Sequence, residues 1–454
     1  MKKNMALIIV FGLIIGISNE SKSQAYPGVE IDPVQYGKPF ANVPDRRDVT
    51  LYQVNIRTFG KDGDFKGVSD RLDSIKALGA NVIYLMPIYP IGKVLSVNSP
   101  YCIKGYKAVN PEFGTLDDLR AIVDSAHSKN MAVLLDWVPN HTSYDHNWTQ
   151  NKSWYLQDST GNIISPPGTG WNDVAQLNYS NSDMRLAMIH AMKYWVLTAN
   201  IDGFRCDYSD GPPVDFWKQA IDTLRNITSH KLLLLAEGTR SENFEVGFDY
   251  NFGFRFFEVL KKIYEHNYSV RAIDSLNIAD NKKASDGQQF IRYITNHDVN
   301  GSDGTPLQLF GGEKGSMAAF IIAAYMNSVP MIYTGQEVGT PDRMVFPFTS
   351  KKIDWNINPG ITAEYKKVIA FRNKSEAIRR GNLTSYTNDD VCAFTKKSGS
   401  EEVLVLINLR NKSVDYKLSP LLQDSSWKNM MTNKKTALKK KLVLQPYSYL
   451  ILKN

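Results

Sequence analysis

The sequence has little that would hold a metal ion, cross a membrane or bind a nucleic acid. Its 454 residues include three cysteines, Cys102, Cys206 and Cys392. They are too far apart for metal-ligand spacing, and an odd number cannot pair completely within one chain. The formal net charge is +7, from 53 Lys and Arg against 46 Asp and Glu. This is far below the basic surface of a nucleic-acid binder. The rest of the composition is typical of a folded protein with room for a large and a smaller domain.

Long apolar runs are also scarce. The run Met5–Ile17 follows two lysines and has 13 residues, which is too short to span a bilayer comfortably. Ser23 and Ala25 are small residues at suitable cleavage positions, so residues 1–25 are predicted to be a secretory signal peptide. The alternative is an uncleaved N-terminal anchor. We expect a secreted or periplasmic protein with no membrane span once the leader is removed.

From about residue 50, short β-rich runs alternate with amphipathic stretches of helical period. The predicted strands are Thr50–Asn55, Asn81–Met86, Met131–Asp136, Ile201–Cys206, Leu232–Ala236, Val246–Asp249, Phe290–Thr295 and Pro330–Tyr333. The predicted helices are Val68–Leu78, Leu116–Ser128, Asp183–Thr198, Val214–Thr228, Phe254–His266 and Gly315–Met326. This alternation predicts an α/β fold, a closed (β/α)8 TIM barrel over residues 26–379, with a short insertion at 141–181 after the third strand. A doubly wound open sheet is the alternative, but the usual Gly-rich turn after its first strand is missing.

The sequence changes in character after about residue 380. Short strands separated by turn residues are predicted at Val391–Thr395, Glu402–Asn408, Val414–Leu418 and Leu442–Leu452. They indicate a C-terminal antiparallel β-sandwich domain over residues 380–454. Its cluster of five lysines between residues 434 and 441 is interpreted as a solvated edge or turn, because lysines on exposed edges block unwanted pairing.

Polar side chains follow four of the predicted barrel strands. Three carboxylates are among them: Asp207 after the fourth strand, Glu237 after the fifth and Asp298 after the seventh. In a barrel the carboxyl ends of the strands form the active-site face, so we expect the three to converge on one mouth. A single carboxylate after a strand is more often a helix N-cap or an ion-pair partner. Like charges crowded at one end cost stability, which favours a functional role for the set.

Such a set suits glycoside hydrolysis, in which one carboxylate attacks the anomeric carbon and a second, protonated one donates to the leaving oxygen. Arg205 lies two residues before Asp207 and therefore on the same face of the strand. Its guanidinium is expected to lower the pKa of Asp207 and to keep this carboxyl ionised as a nucleophile. Glu237 follows an apolar run with no neighbouring cation in sequence, so we expect the raised pKa of a general acid.

These strand ends resemble the four short signature regions of the α-amylase family, glycoside hydrolase family 13. Further segments resemble that family: GANVIYLMP at 79–87, Gly105-Tyr106 with the NPEFGT that follows, Gln176-Leu177-Asn178, and IYTGQE at 332–337. The likeness covers about residues 48–380, with the family's small C-terminal β domain behind it. It implies an α-amylase-type O-glycosyl hydrolase of the secreted bacterial type, active in starch degradation.

Matching positions carry the family's roles onto this chain. The resemblance implies Asp207 as nucleophile, Glu237 as general acid/base and Asp298 as transition-state stabiliser. The residues implied to bind around the same sugar ring are Tyr106 (stacked on it), His141, Arg205 and His297. Asn140 is implied as a candidate calcium ligand, and no organic cofactor is expected.

Two features depart from the family pattern or leave its interpretation open. Many α-amylases follow the nucleophile with small residues and then Lys-His, whereas this chain has Tyr208, Ser209, Asp210 and Gly211. The insertion contains three tryptophans, which predict either a sugar-stacking loop or a packed mini-core: Trp148, Trp154 and Trp171.

The resemblance implies retaining cleavage of α-1,4-glucosidic bonds in starch, glycogen or maltooligosaccharides, through a covalent glucosyl-enzyme intermediate. The alternative within the family is an α-glucosidase, a cyclomaltodextrinase or neopullulanase, or a glucan transglycosylase, which the Gln-Leu-Asn segment favours slightly. The alternative outside the enzymes is a non-catalytic carbohydrate-binding relative, and the presence of all three carboxylates argues against it. The expected partner is an α-glucan polysaccharide or oligosaccharide as substrate, and the protein is expected to be a monomer that binds no nucleic acid.

Overall fold

Eight parallel strands close into a barrel in the computed structural model, which describes residues 31–285 and 287–454. The strands are β1 Leu51–Val54, β2 Val82–Leu85, β3 Ala132–Trp137, β4 Gly203–Cys206, β5 Leu233–Ala236, β6 Tyr250–Phe252, β7 Gln289–Arg292 and β8 Val329–Tyr333. Each strand pairs with its neighbours in the chain, and β8 pairs with β1 to close the ring. The predicted (β/α)8 barrel is therefore confirmed and the open sheet is excluded. The predicted signal peptide lies outside the described residues.

Helices connect the strands and cover the barrel. The helices are Ile56–Phe59, Phe65–Ser69, Leu72–Leu78, Leu116–Ser128, Ser182–Ala199, Val214–Arg225, Glu242–Glu245, Phe254–His266, Arg271–Asn281, His297–Ser302, Pro306–Leu309, Gly312–Tyr325, Pro359–Lys374 and Glu376–Arg380. Shorter 3-10 turns lie at Asn147–Gln150, Lys152–Trp154, Gln336–Val338 and Pro420–Leu422. Helix Leu116–Ser128 begins where predicted because Thr115 and Asp118 exchange hydrogen bonds in a capping box.

The sixth strand begins later in the chain than predicted. The apolar segment Val246–Asp249 is a buried loop, and β6 starts only at Tyr250. Gly247 has a φ of +106°, a backbone conformation that a strand does not contain. The Asp249 carboxylate accepts a hydrogen bond from the Leu234 amide at 2.8 Å, which holds this loop against β5. Burial without strand pairing explains why the sequence resembled a strand.

The insertion after β3 is built on a small antiparallel pair, His141–Ser143 with Val174–Gln176. Trp148 and Trp154 pack edge to face at 5.2 Å between ring centroids, and Trp148 also packs against Tyr106. Trp171 is instead 36% exposed. Two of the three tryptophans thus form the mini-core, whereas the third is available to a ligand.

The C-terminal strands form two antiparallel sheets. They are β9 Asn382–Ser385, β10 Val391–Ser398, β11 Glu401–Asn408, β12 Val414–Lys417, β13 Ser425–Asn429, β14 Lys435–Leu438, β15 Lys441–Leu444 and β16 Tyr449–Lys453. Six strands lie in the order β9-β10-β11-β16-β13-β14, and β12 pairs with β15. Alternate residues of β10 bury opposite faces: Phe394 joins the core shared with the barrel, whereas Ala393 joins the core shared with β12 and β15.

All three cysteines are buried, and none of them forms a disulfide. Among the residues that the structure describes, no helix has the length and apolar character needed to span a bilayer.

Candidate active site

One buried guanidinium contacts three carboxylates at the carboxyl end of the barrel. Arg205 is fully buried on β4, and its Nη1 donates to Asp136 Oδ1 at 2.7 Å and to Asp207 Oδ1 at 2.9 Å. Its Nη2 forms an ion pair with Glu237 Oε1. Strand register explains this meeting, because Cys206 pairs with Ala236 and the next residue of each strand is Asp207 or Glu237. The structure therefore brings the predicted nucleophile and general acid together.

Burial dominates the electrostatics of this pair. It raises the pKa of Asp207 to about 7 and that of Glu237 to about 8, while the charge of Arg205 acts in the opposite direction on both. The raised pKa expected for Glu237 agrees with the structure. The expectation that Arg205 would hold Asp207 below its usual range was wrong, because desolvation outweighs the attraction. The neighbouring cation that Glu237 lacks in sequence is supplied by Arg205 in space.

A second chain of hydrogen bonds orients His297. The Tyr101 hydroxyl lies 3.0 Å from Asp136 Oδ2 and 2.7 Å from His297 Nε2, and Gln53 Nε2 lies 2.7 Å from His297 Nδ1. With Gln53 donating to Nδ1, the ring carries its proton on Nε2 and donates to Tyr101. Burial lowers the pKa of His297 to about 4, so the neutral ring fits this pattern.

Asp298 is the most open of the three predicted catalytic carboxylates. Its side chain is 56% exposed, and its Oδ1 lies 3.2 Å from His297 Nε2. It lines the same cavity as Asp207 and Glu237. An exposed carboxylate facing two buried ones leaves space between them for a ligand.

Tyr106 does not reach the cavity. It is 3% exposed, and its hydroxyl donates to the carbonyl oxygens of Val138 and His141 at 2.7 and 3.0 Å. These contacts fix the insertion to β3, so the predicted sugar-stacking role is corrected to a packing role. Tyr101, five residues earlier, lines the cavity instead. Its position in a Tyr-containing loop after β2 is the signal that could have identified it.

The cavity has a volume of about 1090 Å³ and lies over this cluster. His141 lines it with its ring 5.5 Å from that of Trp171, which in turn lies 5.1 Å from the ring of Tyr208. Burial lowers the pKa of His141 to about 4. Trp171 and Tyr208 are exposed aromatic rings of the kind that stack on sugars; the sequence left stacking by Trp171 as one of two alternatives and assigned no such role to Tyr208.

Asn140 lies beside the cavity and not in its wall. Its Nδ2 lies 3.1 Å from Gln176 Oε1, and Gln176 Nε2 lies 3.3 Å from its Oδ1, so the two amides are bonded to each other. Calcium prefers six to eight oxygen ligands that include carboxylates. Within residues 31–285 and 287–454, no group of three or more His, Cys, Asp or Glu is placed to hold a metal ion. Asn140 offers one amide oxygen, which already accepts from Gln176 Nε2, and calcium binding there stays a prediction.

A closed (β/α)8 barrel with three carboxylates around one cavity at its carboxyl end defines a class of protein, the barrel enzymes that hydrolyse glycosidic bonds. Comparison with protein-family models gives the family. The model for the α-amylase catalytic domain matches residues 35–162 and 169–390, more than half of the chain, and the chain belongs to this family of glycoside hydrolases. The model for the maltogenic amylase C-terminal domain matches residues 383–451.

Individual relatives are distant but cover most of the chain. An α-amylase from Dictyoglomus thermophilum is 26% identical over 84% of this chain and 73% of its own length. A cyclomaltodextrinase from Geobacillus thermopakistaniensis is 23% identical over 86% of this chain and 70% of its own. The crystal structure of a noncanonic maltogenic α-amylase from Thermotoga neapolitana covers 90% of this chain and 99% of its own, with a TM-score of 0.79 at 24% identity. That likeness supports the fold.

Proposed function

We propose that this protein cleaves α-1,4-glucosidic bonds in starch, glycogen or maltooligosaccharides with retention of anomeric configuration. The observation that carries the proposal is the shared guanidinium of Arg205, which contacts both Asp207 and Glu237. Retaining enzymes need the two carboxyls only about 5–5.5 Å apart, whereas inverting enzymes place a water between them. One guanidinium bridging the pair supports the shorter separation.

The residue roles follow from protonation and exposure. Burial raises the pKa of Glu237 and favours its protonated form, so it donates to the leaving oxygen. Asp207, which matches the family's nucleophile position and is held by Arg205 Nη1 at 2.9 Å, attacks the anomeric carbon in its ionised form to give a covalent glucosyl-enzyme. Asp298 lines the same cavity and binds sugar hydroxyls as the ring distorts.

The remaining cavity side chains bind the sugar that is attacked. His141 and His297 are neutral side chains in the cavity wall, and Tyr101 supplies an apolar face in the role first expected of Tyr106. Tyr208, whose amide donates to Glu237, and Trp171, whose ring lies 5.1 Å from that of Tyr208, are the aromatic side chains proposed to contact the leaving sugar. The leader predicted for residues 1–25 would place this activity outside the cytoplasm.

A second candidate is an activity of the cyclomaltodextrinase, neopullulanase, α-glucosidase or transglycosylase type. Two observations favour it: the match of the C-terminal strands to the maltogenic amylase model, and the similarity to a cyclomaltodextrinase. Gln176, which begins the Gln-Leu-Asn segment, is bonded to Asn140 and braces the insertion beside the cavity.

Product analysis tests both candidates. The purified protein is incubated with soluble starch, maltotriose and β-cyclodextrin, and products are followed by chain length and by the anomer formed first. Release of α-anomers from starch supports the first proposal, and preference for the cyclic substrate or formation of longer products supports the second. No cleavage of any of these α-glucans would overturn the function, and release of β-anomers would overturn the role of Asp207.

A further inference from the structure

The loops that follow β4 and β5 are bonded to each other around Glu237. The Tyr208 amide donates to Glu237 Oε2 at 2.8 Å, and the Ser209 amide donates to the Glu237 carbonyl at 3.0 Å. Tyr208 holds a left-handed backbone with a φ of +41°, which bulky residues rarely adopt. Such a conformation persists only where surrounding contacts hold it, and here it aims an amide at the carboxyl of the general acid.

Asp210, the third residue after the nucleophile, makes several of the contacts between the two loops. Its Oδ2 accepts from the Thr239 amide at 2.8 Å and from the Thr239 hydroxyl at 3.2 Å. Its Oδ1 accepts from Asn243 Nδ2 at 3.1 Å and lies 3.3 Å from Arg240 Nε. All these donors belong to residues 239–243, which begin two positions after Glu237. One carboxylate therefore fixes the chain that leaves the general acid.

Packing at Gly238 shows how closely the loops approach. A Cβ atom at this position would overlap Oδ1 of Asp210 and the hydroxyl of Ser209. The far end of the segment is equally fixed, because Asn243 Nδ2 also donates to Asn251 Oδ1 on β6 at 2.9 Å. The main chain on the C-terminal side of Glu237 is thus held by two sets of contacts, those with Asp210 and that of Asn243 with β6.

We propose that Asp210 is a positioning residue that holds Glu237 in the geometry needed to protonate the leaving group. The inference rests on the proposed function and deepens it. The Glu237 carboxyl is held at both oxygens, by Arg205 and by the Tyr208 amide, so a shift of its main chain breaks at least one of these contacts. The sequence departs from the family pattern at Asp210, and its contacts with residues 239–243 give that departure a role.

Two substrates that differ in their need for an acid separate positioning from a general structural effect. Cleavage of maltotriose expels a sugar oxygen, which must be protonated as it leaves, whereas α-maltosyl fluoride releases fluoride without protonation. Both are compared by kcat/KM, which reports the first bond cleavage. For Asp210→Asn we expect kcat/KM on maltotriose to fall roughly 10- to 100-fold, as for a general acid displaced by a fraction of an ångström. On the fluoride the loss should stay under about threefold.

The control is Asp215→Asn, which removes a carboxylate of the same connection that is ion-paired with Arg185 at 2.7 Å and does not contact residues 238–243. It should leave the ratio of the two kcat/KM values unchanged. Gly238→Ala, which displaces the Asp210 carboxylate from the other side, should reproduce the selective loss if Asp210→Asn folds poorly. Equal losses on both substrates, or no loss on maltotriose, would overturn the inference. Failure of the proposed function shows separately, as a wild-type protein that cleaves neither substrate.

Discussion

Replacing Arg205 by methionine should shift the pH dependence of activity by a predictable amount. The guanidinium contacts Asp207 at 2.9 Å in a fully buried cluster. Two charges about 4 Å apart at an effective dielectric constant near 20 interact by about 4 kcal/mol. Since one pKa unit corresponds to about 1.4 kcal/mol, loss of this attraction could raise the pKa of Asp207 by up to about 3 units. Water entering the vacated space reduces this, and we expect about 2 units.

The sign of the change follows from the role of the carboxyl. Asp207 must be ionised to attack, so a higher pKa moves the acid limb of the kcat/KM profile to higher pH by about 2 units. At pH 7 the variant should be roughly 50-fold less active on maltotriose, because the ionised fraction of Asp207 falls from about one half to about 1%. The loss should diminish as the pH is raised, until the deprotonation of Glu237 limits the rate.

Stability should change with pH as well. Removing one partner of a buried ion pair costs about 3–5 kcal/mol. Carboxyls whose pKa is raised in the folded state bind protons more tightly there than in the unfolded chain. Their contribution to stability is present below the unfolded pKa and is lost as the pH rises through the folded pKa. The deficit of Arg205→Met, measured by urea denaturation, should therefore grow between pH 5 and pH 9, a window that spans the raised values of about 7 and 8.

Arg292→Met is the matched control. Arg292 is also a fully buried arginine on a barrel strand, and it is ion-paired with Asp280 at 3.0 Å. Its loss should lower stability by a similar amount while leaving the acid limb of kcat/KM in place. An unshifted acid limb in Arg205→Met, or an equal shift in both variants, would refute the reasoning.

Four further substitutions test the site and the insertion. Asp207→Asn should reduce turnover on maltotriose by about four orders of magnitude with a melting temperature within about 2 °C of wild type, and unfolding in parallel with inactivity would mark a structural residue. Tyr101→Phe removes a hydroxyl shared by a buried carboxyl and an imidazole, so kcat/KM should fall about tenfold, and a loss under about twofold would contradict this. Trp148→Ala should cost about 3 kcal/mol in urea denaturation. Trp171→Ala should instead raise KM severalfold at unchanged stability, and the reverse result would show that the two tryptophans were assigned wrongly.

The sequence was most informative where the backbone itself sets the geometry. Side chains two residues apart on a strand share a face, so Arg205 and Asp207 could be placed together without a structure. The carboxyl ends of parallel strands share one edge, which placed Glu237 and Asp298 at the same mouth. Buried loops were harder to predict. Val246–Asp249 has the composition of a strand, and only the positive φ of Gly247 and the side-chain contacts of Asp249 show that it is not one.

The sequence also could not predict the pKa shifts of the two catalytic carboxyls, because these depend on contacts between separate strands. Arg205 lies two residues before Asp207 and far from Glu237 in sequence, yet it contacts both carboxyls because β4 pairs with β5. The pKa of each carboxyl also depends on how much water the fold excludes, which spacing does not encode. Burial therefore raises the pKa of both carboxyls, whereas the sequence had predicted shifts in opposite directions.

The sequence motif after β2 did not predict which of its two tyrosines lines the cavity. Tyr101 and Tyr106 lie on one loop, and either could present a ring to the barrel mouth as far as composition is concerned. The Tyr106 hydroxyl finds two backbone carbonyls at the base of the insertion, and an unbonded hydroxyl buried there would cost about 1–3 kcal/mol. Tyr101 finds a carboxylate and an imidazole that already belong to the catalytic cluster. The choice is made by partners on β3 and in the loop after β7, so it depends on how distant segments meet, which a motif within one loop does not specify.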